Sequence, residues 1–63
     1  MMHIEAKIIE METRRGMAVA YLEEYRRYNE EHNTDEMDER IEMAEEVIAK
    51  YDILLEDLRS YIS

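Results

Sequence analysis

The chain is expected to be all-α, an antiparallel two-helix hairpin with coiled-coil-like packing that dimerises into a four-helix bundle. Three observations lead there. The 63 residues contain one Gly and no Pro, too little punctuation for the turns of a small β protein. Apolar residues recur at alternating spacings of four and three along two long stretches, the period of a heptad seam rather than of a strand. A single cluster of turn-forming residues, His32-Asn33-Thr34-Asp35, divides the two stretches. A chain of this length forms one domain, here residues 1–63.

The first helix is expected over about residues 3–31. Ile4, Ile8, Met11, Ala18, Leu22 and Tyr25 form its stripe, with Arg15 and Asn29 filling the remaining slots. Gly16 lies inside it and costs about 1 kcal/mol against Ala. The apolar phase crosses Gly16 without a skip, so the helix is read as continuous, bent there at most.

The turn is placed at about 32–35. Asn33 or Thr34 can cap the second helix, and Asn33 with Glu36 has the form of a capping box. Asp35, Glu36, Asp38 and Glu39 then load the first turns with charge that suits the helix dipole. The second helix is expected over about 35–62. Its stripe is unbroken: Met37, Ile41, Ala44, Ile48, Tyr51, Leu55, Leu58 and Ile62.

In an antiparallel hairpin, residues at one level have numbers that add to a constant. With 66 as that constant the two stripes mesh, from Asn29–Met37 at the turn through Leu22–Ala44, Arg15–Tyr51 and Met11–Leu55 to Ile4–Ile62. The e positions of both helices share one side of the seam. They bring Glu5 to Arg59 and Arg26 to Asp38 as ion pairs, Glu12 to Asp52 as a repulsion, and Val19 to Glu45. The g positions share the other side, pairing Lys7 with Tyr61, Arg14 with Leu54, Tyr21 with Val47 and Tyr28 with Arg40. Met17 and Met43 extend that side. A two-helix seam buries little, and a small chain without a disulfide or metal needs another source of stability. Met17, Tyr21, Tyr28, Met43, Val47, Leu54 and Tyr61 are therefore the expected self-association face, and a homodimer or higher homo-oligomer is the expected state.

The chemistry-bearing residues are sparse. There is no Cys, hence no disulfide, thiolate metal site or cysteine nucleophile. His3 and His32 belong to no Glu-x-x-His pair, and Thr13, Thr34, Ser60 and Ser63 have no histidine placed beside them. Neither catalysis, nor a metal, nor a cofactor is expected. Arg15 intrudes into the seam opposite Tyr51 and is read first as a residue that fixes register. A second reading has Arg14, Arg15 and Arg40, with Tyr21 and Tyr28, line a cleft for an anionic small ligand.

The charge balance is 17 Asp and Glu against 8 Lys and Arg, a formal net charge of −9. It is uneven: residues 23–46 hold eleven acids and three arginines, the remainder six acids and five bases. The turn end is thus strongly negative, a poor surface for nucleic acid phosphate and a good one for a basic site on a protein. Glu31, Asp35, Glu36, Asp38, Glu39 and Glu42 would form it. No apolar run approaches the roughly 20 residues of a membrane span, and no signal-type segment opens the chain, so a cytoplasmic protein is expected. The functional expectation is a small acidic, non-catalytic, homo-oligomeric regulator or inhibitor that binds another protein. The alternatives are a bundle that sequesters an anionic ligand and a purely structural assembly subunit.

Overall fold

A computed structural model describes residues 3–62. It contains two helices packed on each other, α1 (Ile4–His32) and α2 (Asp35–Ser60), in a rod of 46 × 17 × 15 Å. Helix α1 runs for 29 residues straight through Gly16. Gly16 has helical backbone angles, and a Cβ built on it meets nothing within 4 Å. Its only contribution is extra freedom in the unfolded chain. Gly16→Ala is expected to raise stability by about 0.5–1 kcal/mol, read as a higher urea midpoint at unchanged slope. A loss of stability would mean that this position is covered.

The turn is tighter than the capping box envisaged. Asn33 is not the cap of α2. It adopts the left-handed conformation (φ 47°) and closes α1, its N–H donating to the Asn29 carbonyl at 2.7 Å. An N-cap residue needs extended backbone angles, and Thr34 has them (φ −106°, ψ 148°). Its Oγ1 accepts from the Met37 N–H at 3.1 Å. Asn29, a polar residue in the seam, ties both halves together. Its Oδ1 accepts from the Thr34 N–H at 3.0 Å, and its Nδ2 donates to Asp38 Oδ1 at 2.8 Å. These contacts occupy the N–H groups of Asn33, Thr34 and Met37 at the junction of the two helices.

The seam follows the heptad. Ile8, Met11, Leu22 and Leu55 are buried, and the other stripe residues are half-buried, with one exception. Ile62 is 53% exposed. Helix α2 ends at Ser60, and the Tyr61 and Ile62 N–H groups bond only three residues back, to Leu58 and Arg59. The layer expected from Ile4 and Ile62 is thus open, because residues 61 and 62 have left the i-to-i−4 ladder that would keep Ile62 on the seam face. The main cluster lies at this open end, where Ile8, Met11 and Leu55 pack with Ile4, Tyr51 and Leu58. No side chain among the described residues is fully buried. Two helices make a zipper with a thin core.

The e side is paired differently from the expected scheme. Arg59 reaches Glu12 at 2.7 Å, not Glu5, and Arg26 reaches Glu45 at 3.1 Å, not Asp38. Asp52, which faced Glu12 in that scheme, is held by Arg15 at 2.5 Å. The cause is the direction of Cα–Cβ bonds, which tilt toward the N-terminus of each helix. In an antiparallel pair both side chains then lean so that residues with a larger number sum meet. Residues at one level add to 66, whereas both arginine–glutamate pairs add to 71. Each pair is half-exposed and worth about 0–1 kcal/mol, so the edge selects register more than it stabilises.

Candidate functional site

Two surfaces are distinctive, and both are set by the hairpin's geometry. The first is the g side. Tyr21, Tyr28, Val47, Leu54 and Tyr61, with Met17 and Met43, are between 39% and 68% exposed. They share one side because g positions of antiparallel helices do. Some are held in place. The Tyr21 ring stacks on seam residue Tyr25 with centroids 6.3 Å apart and an angle of 21°. Tyr28 lies 4.2 Å from the His32 ring, one helical turn on. Ala18 and Ala44, the small residues of the seam, floor a shallow trough walled by Tyr21, Tyr25, Arg40, Met43 and Val47. Roughly half of each of seven large side chains amounts to on the order of 700 Å², close to the ~800 Å² that each partner contributes to a stable interface. Ile9 and Ile53 are also exposed, at 64% and 69%, but at b and f positions away from this strip, where single apolar residues are ordinary.

The second surface is the turn end. Every carboxylate of residues 23–46 is on an exposed residue, including Glu31, Asp35, Glu36, Asp38, Glu39 and Glu42. Of these eleven, only Glu36 and Glu45 are within ion-pair distance of an arginine among the described residues, with Arg40 at 3.2 Å and Arg26 at 3.1 Å. Asp38 is bonded to Asn29, and Glu31 has only His32, at 3.9 Å. The remaining charge faces solvent.

Arg14, Arg15 and Arg40 are not brought together. Arg15 leans to the e side, onto Asp52, in a groove with Glu12, Gly16, Leu55 and Arg59. Arg14 and Arg40 are on the g side, each held by an acid of its own helix, Glu10 at 2.8 Å and Glu36 at 3.2 Å. Glu10 also takes Lys7, at 3.2 Å, so two cations share one carboxylate near the open end. Among the described residues no group of three or more His, Asp or Glu side chains is placed to hold a metal ion, and no helix is long and apolar enough to cross a membrane.

Sequence reasoning passed over Asn29 as a mere seam filler. Its signal was an amide at an a position four residues before the turn, where a helix has carbonyls and a following N–H to satisfy. The Arg15–Asp52 bond carried a similar signal: both polar a residues, Arg15 and Asn29, bond the e acid of the other helix, with numbers that add to 67 in each case. Comparison with protein-family models, with curated proteins and with solved structures found no match.

Proposed function

We propose that this chain is a non-catalytic interaction protein, a homodimer through its g side that binds a basic surface of another protein through its acidic turn end. The observation that carries the reading is the separation of two exposed surfaces on one rod. An apolar, tyrosine-rich strip of interface size lies along one face, and a block of carboxylates, only two of them paired with an arginine among the described residues, lies at one end. The thin core supports the first half, since an isolated hairpin with four buried residues among those described gains most from covering the strip. The charge supports the second half. A concentrated negative field steers and holds a basic partner, and the interaction weakens with salt. An anionic-ligand cleft has less support, because Arg14, Arg15 and Arg40 are each engaged by a carboxylate.

The test uses Glu39→Lys with Glu42→Lys, outer-face changes away from the strip. Immobilised parent protein should retain basic proteins from a lysate of its host, with release as ionic strength rises. The double variant should lose them while staying helical and dimeric. Equal retention by both chains, or retention indifferent to salt, would remove the acidic end from the binding site.

A further inference from the structure

We infer that the two hairpins of the dimer lie with their turns at opposite ends, so that the assembly carries one acidic pole at each end. This rests on the self-association proposed above and adds its direction. Two-fold packing of the g sides allows only two arrangements: turns together or turns apart. Both leave every neighbouring helix antiparallel, so helix dipoles do not choose between them. The side chains do.

Turns together would place two segments of net −8 side by side, with almost none of that charge paired within the chain. Turns apart lays α1 against the partner's α1 and so sets the cationic part of this helix against its anionic part. Toward the open end, Lys7 and Arg14 share the single carboxylate of Glu10. Toward the turn, Glu24 has no lysine or arginine within ion-pair distance among the described residues, and Glu31 has only His32. These four residues occupy c and g positions on the same side of α1. One register of α1 against the partner's α1 serves both cations: Lys7 meets the partner's Glu31 and Arg14 meets the partner's Glu24, since both pairs add to 38. The same register puts Met17 against Tyr21, beside the Ala18–Ala44 trough. Charge and apolar content thus agree on one placement, and electrostatic complementarity of this kind chiefly fixes orientation.

Charge reversal distinguishes the arrangements. With turns apart, Lys7→Glu with Arg14→Glu should raise the dimer dissociation constant about ten- to hundredfold. Glu24→Lys with Glu31→Lys should do the same. The second pair is the sharper test. It moves the net charge from −9 four units toward zero, so general self-repulsion would make it dimerise more tightly. The four changes combined should restore association to the parent's level. Because the chain has no Cys, Asp35→Cys gives a unique spin-label site at the turn in an otherwise native protein. Asp35 is level with Glu31, and a partner whose Glu31 meets Lys7 puts its own turn at or beyond the level of Lys7, so the labels lie at least about 36 Å apart along the rod at 1.5 Å per residue. Turns together would bring the labels within about 20 Å, two helix diameters. Double variants that dimerise like the parent, or the short label distance, overturn the opposite-end arrangement. A parent that stays monomeric throughout overturns the self-association itself.

Discussion

Leu55→Ala is expected to remove most of the hairpin's stability, about 2–5 kcal/mol. Leu55 is 3% exposed and sits with Ile8 and Met11 in the open-end cluster, flanked by Ile4, Tyr51 and Leu58. Truncation takes away its transfer free energy and leaves a void that two rigid helices cannot close by collapsing. A chain of this size has only several kcal/mol to lose, so the variant should be partly unfolded at room temperature. Glu46→Ala, at an exposed f position, should change stability by less than about 0.5 kcal/mol. Urea titrations followed by circular dichroism compare the two. Similar losses would mean that the stripe is not the core.

The second large effect is on assembly. Leu54→Glu combined with Val47→Glu is expected to abolish the self-association proposed above. At 39% and 42% these are the least exposed members of the apolar strip, against the seam, where a partner would desolvate them most. A carboxylate buried there without a partner costs several kcal/mol; Arg14, expected across the seam from Leu54, is already engaged by Glu10, and Lys50, three residues after Val47 and four before Leu54, offsets only about 0.2–0.5 kcal/mol per pair. Folding and association are coupled if the lone hairpin is marginal, so the parent's melting temperature should rise with protein concentration and the variant's should be lower and independent of it. Sedimentation equilibrium reads the mass directly. A parent that is monomeric at tens of micromolar, or a variant that remains associated, places the contact elsewhere.

The two helices, the position of the turn and the face that each helix buries were legible in the chain alone. Their causes are local: a heptad stripe dictates which side of a helix faces its partner, and the cluster at 32–35 is where turn-forming residues divide the two stripes. The meshing of Met11 with Leu55 followed because both stripes lead to the same turn. The asymmetry of the flanks was legible too, because g residues of antiparallel helices share a side whatever their rotamers.

Three features were decided only in three dimensions. Thr34 rather than Asn33 caps α2, because the chain reverses direction by putting Asn33 in the left-handed region, which disqualifies it as an N-cap. Asn29 became the knot of the turn, because its amide reaches both Thr34 and Asp38 once the helices lie side by side. The arginines of the e side chose Glu12 and Glu45 over the acids expected for them. Heptad letters record rotation about a helix but not the lean of its side chains along it. In an antiparallel pair the two leans compound, and a long side chain therefore meets a partner beyond the one at its own level.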